Sequence, residues 1–432
     1  MSASTIEVKS STPSHQLNSD EIISISSLTT HHVVTRIVDE NEYASLKQLY
    51  KSEYEQISAS ELYTEKSLYK KLLETWTYHH YLLWRNYFNF RNGSTNDIDR
   101  NQIRELRQLI CQQTKRIQHL GYYYVYDDGD VDSKPSEILK IIFNIKQLDY
   151  SKNNSKIIDK PFKLWKQIKL KNDSTNNKNC IYNVVEGDCL EVALSLLQSD
   201  FNPVVLNMAS STNNGGGWES GAGAQEENLF RRSTYENASA IVKYDYPIPE
   251  FGGVYSPAVT VFRSSEITGY KLLKQPYLMS FIAVAAYVHP KLVKVYTDNA
   301  DYNESNYHLE LDAIMTEKTK EKIRTILSLA LLHNHDSIVL SAFGCGAFKN
   351  PPGHIAQLFK DVLLEFEFEN QFKQVCFAIL NDHNVGKMHN PDGNFIPFQQ
   401  AFQQLNTNIG ANSANLNTCI APEELEVHSS IL

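Results

Sequence analysis

Two adjacent carboxylates, Glu226 and Glu227, follow Gln225, and a seven-residue spacer separates this trio from three consecutive glycines, Gly215, Gly216 and Gly217. Side-by-side carboxylates are residue types suited to proton transfer. Glycines let a loop adopt positive φ and aim several backbone N–H groups at one anion. A helix expected to start near Gln225 would add the positive partial charge of its N-terminus. Each feature also has a purely structural reading. Glutamate is favoured at a helix start by the macrodipole, and glycine-rich stretches are common in turns. The context decides between these readings. The trio follows the end of an apolar run, Val204-Val205-Leu206-Asn207, which reads as a buried strand, and strand ends are where α/β folds place ligands.

A second loop has the same build. The run at 337–342 leads into Phe343-Gly344-Cys345-Gly346-Ala347-Phe348, then Asn350-Pro351-Pro352 and a helical pattern. Alone it reads as a tight strand-to-helix turn. Two strand–glycine loop–helix units in one domain can enclose a diphosphate from both sides. Cys345 reads as a small residue in a tight loop.

The elements that must position these loops are legible as periodicities. Strands are expected over 181–185, 204–208, 277–285, 337–342 and 374–380, and helices over 190–197, 225–240, 317–333 and 354–366. Their alternation predicts an α/β layered domain. Before it, residues 1–40 are polar and end in a short apolar piece, Val33 to Val38, suited to a strand. Apolar spacings of three and four predict helices through 41–120. The aromatic stripe Trp76, Tyr78, Tyr81, Trp84, Tyr87, Phe90 within them reads as a packing edge rather than a nucleic-acid platform. Ile138, Ile141, Ile142 and Ile145 suggest one more short helix. The Lys/Asn-rich part from Lys152 to Lys178 reads as a surface connection with an apolar patch at 162–170. Residues 406–432 read as a disordered tail.

Composition narrows the function. The chain has 432 residues, 42% of them hydrophobic, and no apolar run approaches the ~18 residues of a membrane span. The N-terminus lacks the apolar segment of a signal peptide, so an intracellular protein is expected, with no membrane partner. Six cysteines, none in a CxxC pair, speak against a disulfide framework or zinc site. His333 and His335 read as solvated residues at a helix end rather than a metal site. A net charge of −9 speaks against gripping nucleic acid by bulk electrostatics, so no sequence-specific nucleic-acid binding is expected. A polyphosphate ligand would have to be held by oriented amides.

Three glycines, a short spacer and Gln-Glu-Glu are the signature of the microbial-type poly(ADP-ribose) glycohydrolases, a branch of the macrodomain fold, and this chain resembles them. The resemblance extends to Glu186-Gly187-Asp188-Cys189-Leu190, to 205–210 with Asn213, and to Leu229, Arg231 and Ser233. It continues through Val254-Tyr255-Ser256-Pro257, Val261-Phe262-Arg263, the loop 344–350 and Phe377-Ala378-Ile379-Leu380. It covers roughly residues 100 to 400 and departs from the family at Asn214, Lys349 and Pro351.

The resemblance implies a macrodomain-like three-layer α/β/α fold with a mixed central sheet, plus an N-terminal helical region. The expected divisions are a segment at 1–40, a helical region at 41–100, a catalytic domain at 101–405 and a tail at 406–432. It further implies hydrolysis of ribose–ribose bonds in poly(ADP-ribose), or release from ADP-ribosylated macromolecules, with ADP-ribose as product and neither cofactor nor metal. Glu227 would act as acid and then base, while Glu226 would orient a ribose hydroxyl. The diphosphate would lie between the amides of Gly216 to Ala224 and those of Gly344 to Phe348. Asn213 and Phe348 would meet the distal ribose, and Asp188 would accept the adenine amino group or simply cap a helix. The implied ligand-binding set is Asp188, Asn207, Asn213, Gly215, Gly216, Gly217, Gly221, Ala222, Gln225, Gly344, Cys345, Gly346, Ala347 and Phe348. Two alternatives keep the same loops: a hydrolase for single ADP-ribose units, and a non-enzymatic ADP-ribose reader. A reader would need neither glutamate.

Overall fold

A strand covered on both faces reads as an unbroken apolar run, because neither of its alternating side-chain sets meets water. The computed structural model describes residues 33–37, 98–126, 138–171, 179–296, 307–381 and 390–407. The helical pattern expected over 41–97, its aromatic stripe, and the tail beyond 407 lie outside the described residues. In chain order the strands are β1 (Val33–Ile37), β2 (Tyr122–Tyr126), β3 (Ile138–Phe143), β4 (Lys156–Asp159), β5 (Ile181–Glu186) and β6 (Pro203–Met208). They continue as β7 (Gly252–Arg263), β8 (Leu272–Val284), β9 (Leu292–Tyr296), β10 (Tyr307–Leu311), β11 (Ser337–Leu340) and β12 (Gln374–Ile379). The helices are α1 (Ile98–Leu120), α2 (Ile145–Asn154), α3 (Pro161–Lys171), α4 (Cys189–Gln198) and α5 (Gln225–Arg232). After these come α6 (Tyr235–Ala238), α7 (Ala313–Leu332), α8 (Pro352–Leu363) and α9 (Phe395–Thr407).

The main sheet has seven strands in the order β4-β7-β8-β6-β11-β12-β5. Neighbours are parallel from β8 to β5 and antiparallel at β4–β7 and β7–β8. Alternation sorts the side chains between two cores. Val204, Leu206, Ile338, Leu340, Val375 and Phe377 pack with residues of α7, α8 and α9, such as Ile326, Phe359 and Phe398. Val205, Val339, Cys376 and Ala378 face the other way, onto Leu190 and Leu196 of α4 and Leu229 and Phe230 of α5. Each fully buried Leu, Ile or Phe of these layers stabilises the fold by roughly 1.5–3 kcal/mol. The result is the three-layer α/β/α arrangement with a mixed sheet. No helix among the described residues is long and apolar enough to cross a membrane.

Several local expectations change. The stretch expected as a helix near 138–145 is the strand β3, which pairs with β1 on one side and β2 on the other and buries Ile141 and Phe143. Only at Ile145 does a helix begin, with the Asn144 side chain accepting from Lys146 N. The helix expected over 225–240 stops at Ser233, which is extended and bridges to Val261, while Thr234 N donates to Thr260 O (2.9 Å). Pairing with β7 outcompetes helix continuation there. The Lys/Asn-rich stretch holds β4 and α3, and its apolar patch docks through Phe162, stacked on Phe368 at 5.6 Å. β7 escaped the periodicity because it is buried along its whole length, and Gly, Ser, Pro and Thr interrupt the apolar run that such a strand would otherwise show. His335 is buried, not solvated. Its Nε2 faces the Tyr255 hydroxyl at 3.0 Å, and burial holds its pKa down to about 4.

Candidate active site

β6 and β11 are parallel neighbours, so the loops leaving their carboxyl ends emerge side by side at one edge of the sheet. The first loop turns back through α5, whose first three residues bind it to its own strand. Gln225 accepts from Met208 N through Oε1 (2.9 Å) and donates to Leu206 O through Nε2 (2.6 Å). Its amide therefore staples the helix to the strand.

Glu226 is buried. Its Oε1 accepts from Gly215 N (3.2 Å) and Asn207 Nδ2 (3.4 Å), and its Oε2 accepts from Ser210 N (2.7 Å). Burial pushes this carboxyl up to about 8; the Ser210 N–H pulls against it, and the neighbouring Glu227 pushes the same way as burial. Glu227 accepts from Gly217 N through Oε1 (2.9 Å), while its Oε2 is buried with no hydrogen-bond partner among the described residues. A buried polar atom without a partner costs about 1–3 kcal/mol, more for a charged group, and its survival in a native site calls for a functional explanation.

Alternate amides of the glycine triplet thus serve the two carboxylates in turn. Gly216 between them has φ +56°, and a Cβ there would stand 2.5 Å from Glu227 Oε1 and 3.0 Å from Glu226 Oε2. Neither the backbone conformation nor the space admits a side chain.

The rest of this loop differs from expectation. The amides of Gly216, Trp218, Ser220, Gly221 and Ala222 donate to carbonyls of the loop itself, to Asn213, Gly215, Gly217, Trp218 and Gly217 respectively. A 3₁₀ turn over Trp218–Ser220 sets this pattern, anchored by the buried Trp218 ring 5.6 Å from Phe230. Gly221 and Ala222 complete the turn. The exposed Gly223 and Ala224 keep backbone N–H groups without partners among the described residues, and no side chain caps α5. The anion-competent amides are therefore displaced towards the helix start.

In the second loop Gly344 has φ +73°, with a prospective Cβ 2.6 Å from Ala286 Cβ and from Asn350 Nδ2. Asn350 is buried and donates to Tyr287 O (2.8 Å) and Gly344 O (3.1 Å), which pins the loop from beneath. Cys345 is fully buried, its N donates to Ala342 O (3.0 Å), and burial raises its thiol pKa; its side chain serves packing. The N–H groups of Gly346, Ala347 and Phe348 have no partner among the described residues.

Two further expected contacts take structural duties. Asp188 Oδ1 accepts from Leu190 N (3.0 Å) and Glu191 N (3.1 Å), and its Oδ2 pairs with the fully buried Arg232 at 2.7 Å. The helix-cap reading is the one the geometry carries. Asn207, buried, divides its Nδ2 between Glu226 and the Tyr235 hydroxyl, each at 3.4 Å, and so positions Glu226. Asn213 is exposed on the loop, its N held by Ser210 Oγ at 3.1 Å. The sequence predicts the helix that becomes α1 and places Asn350 in the second loop, but gives α1, Tyr235 and the pinning role of Asn350 no part in the site. From α1, Thr114 Oγ1 donates to Arg231 O (2.6 Å), and Lys115 pairs with Glu219 (2.5 Å) and lies over the Trp218 ring (5.1 Å). A helical repeat of three and four in α1 was the one available signal for these contacts.

Residues 140–264 match the family model described as microbial-type PARG, catalytic domain, where PARG is poly(ADP-ribose) glycohydrolase. The fold is similar to the crystal structure of poly(ADP-ribose) glycohydrolase from Thermomonospora curvata, with 23% identity and a TM-score of 0.53 over 69% of this chain and 100% of that one. The structure from the same organism bound to the inhibitor ADP-HPD is similar at 24% identity and a TM-score of 0.51, again over 69% and 100%. No curated protein matches the chain. The segment 140–264, which holds both glutamates and the glycine triplet, belongs to the catalytic domain of the microbial-type poly(ADP-ribose) glycohydrolase family.

Proposed function

We propose that the chain hydrolyses the ribose–ribose O-glycosidic bonds of poly(ADP-ribose) and releases ADP-ribose, with residues 101–405 as the catalytic unit. The observation that carries the mechanism is the Glu227 carboxyl group, one oxygen fixed by Gly217 N and the other buried without a partner among the described residues. In the protonated form it gives its proton to the departing ribose oxygen as the anomeric C–O bond breaks through an oxocarbenium-like state. The resulting carboxylate then takes a proton from the water that attacks the anomeric carbon, which restores the acid. Glu226, held by three donors and with its carboxyl pushed up to about 8, carries a proton at neutral pH and presents a hydrogen-bonding group to a ribose oxygen. A neutral Glu226 also spares Glu227 the repulsion of a second charge.

The diphosphate is held by the amides of Gly223 and Ala224 at the start of α5 and by those of Gly346, Ala347 and Phe348, with Phe348 and Asn213 beside the distal ribose. Amide recognition needs no net positive charge, which suits a chain of net charge −9. The test is incubation with poly(ADP-ribose) and identification of the product, alongside a mono-ADP-ribosylated protein and the Glu227→Gln variant. Free ADP-ribose from polymer is expected with the wild-type chain and not with the variant. Normal hydrolysis by Glu227→Gln would refute the assignment, and release only from the mono-modified protein would move the activity to single units.

A further inference from the structure

α1 lies along the back of the first loop with one helical face. Arg104 meets Gly221, Arg107 meets Gly223, and Lys115 meets Trp218 and Glu219. The contact at Gly223 is the closest to the open amides. A Cβ on Gly223 would fall on the Arg107 guanidinium, with Nη1 the nearest atom. Arg107 spends Nε (3.0 Å) and Nη2 (2.6 Å) on Glu266 Oε1, whereas Nη1 has no hydrogen-bond partner among the described residues. Glu266 in turn uses Oε2 to accept from Asn228 Nδ2 (3.2 Å) and from the Tyr270 hydroxyl (3.1 Å). Asn228 is the residue after Glu227. The pair is well shielded, with side-chain exposures of 17% for Arg107 and 12% for Glu266.

We infer that Arg107 is a phosphate-binding residue of the first loop, its Nη1 directed at an anion held by the Gly223 and Ala224 amides, and that Glu266 is the positioning residue that sets how strongly that anion feels its charge. The inference rests on the proposed function, which places the ADP-ribose diphosphate at those amides. Two physical points support it. A guanidinium tied by one edge to a carboxylate keeps its remaining N–H groups fixed in direction, which suits a phosphate oxygen. A fully unopposed cation at that depth would bind the product tightly and slow its release, and Glu266 removes most of that attraction. Glu266 also links the charge to the chemistry, because the same carboxylate fixes Asn228 beside Glu227 on α5.

The experiment measures binding of ADP-ribose and of adenosine by calorimetry, at low and high salt, for wild type, Arg107→Met, Arg107→Lys, Glu266→Gln and the Arg107→Met/Glu266→Gln double variant, each with its melting temperature. Arg107→Met should weaken ADP-ribose about tenfold and leave adenosine unchanged, and Arg107→Lys should recover part of the loss. Glu266→Gln should tighten ADP-ribose by about three- to tenfold and steepen its loss with salt. The double variant should bind like Arg107→Met. A merely structural clamp would weaken both ligands in both single variants. Unchanged ADP-ribose affinity in Arg107→Met, or weakening in Glu266→Gln equal to that in Arg107→Met, overturns the inference while the proposed function stands. A wild-type chain that binds no ADP-ribose strikes the proposed function itself.

Discussion

The two glycine loops leave neighbouring parallel strands, yet they satisfy their backbones in opposite ways. The first loop folds onto itself and onto the two glutamates, so that most amides between Gly215 and Ala222 already have acceptors. The second is fixed from below by one buried side chain, Asn350, and leaves the amides of Gly346, Ala347 and Phe348 open. The difference teaches that a glycine-rich stretch is not by itself an anion cradle. In the first loop glycine is required because backbone and carboxylates approach closely. In the second it is required because the chain must turn over Asn350 and Ala286. In the proposed mechanism the first loop organises proton transfer, and the second offers donors.

The largest expected effect tests the chemical half of this contrast. Glu227→Gln should lower kcat on poly(ADP-ribose) by roughly 10³-fold or more, while the Kd for ADP-ribose stays within about threefold; single-turnover assays with isothermal binding measure both. A comparable fall in binding would mean that Glu227 holds the ligand rather than transfers the proton.

Matched alanine variants probe the two glycine requirements directly. In Gly216→Ala the new methyl group displaces Glu227, so kcat should fall by about 10²-fold. Gly344→Ala should instead lose about 1–3 kcal/mol of stability and raise KM, with kcat within about fivefold of wild type. Urea unfolding together with steady-state kinetics separates the outcomes, and identical profiles for the two variants would erase the distinction between the loops.

Asn350→Ala removes the pin beneath the second loop. The expected result is a KM about tenfold higher and roughly 1–3 kcal/mol less stability, with little change in kcat. Should kcat fall instead, the second loop would share in the chemistry.

The smallest effect concerns Glu226 and pH. Its carboxyl is pushed up to about 8 from the ordinary 4.5. The folded state therefore binds a proton more tightly than the unfolded one, so this group's contribution is fully present below pH 4.5 and is lost as pH rises towards 8. Relative to Glu226→Gln, which does not titrate, the wild-type chain should lose about 2 kcal/mol of stability between pH 6 and pH 8. Denaturant melts at several pH values measure this, and a pH-independent difference between the two proteins would show that the Ser210, Gly215 and Asn207 donors outweigh burial.

What the sequence determined by itself is what short-range pattern can encode. The runs at 204–208 and 374–380 announced strands buried on both faces, because period-two alternation disappears when both faces are covered. The glycine triplet and Gln-Glu-Glu marked a close meeting of backbone and carboxylates, since positive φ and close approach leave few other residue choices. The tertiary structure decided everything that depends on which atoms compete for one donor or acceptor. Gln225 could have faced a ligand but was taken by the backbone of β6, and Asp188 was taken by α4 and Arg232. Ser233 ended a helix whose pattern continued, because β7 offered a partner. Arg107 came to lie against Gly223 from 116 positions away in the chain, a meeting that no local spacing records. Hydrogen-bond capacity is a property of a residue, but its allocation is a property of the packed molecule.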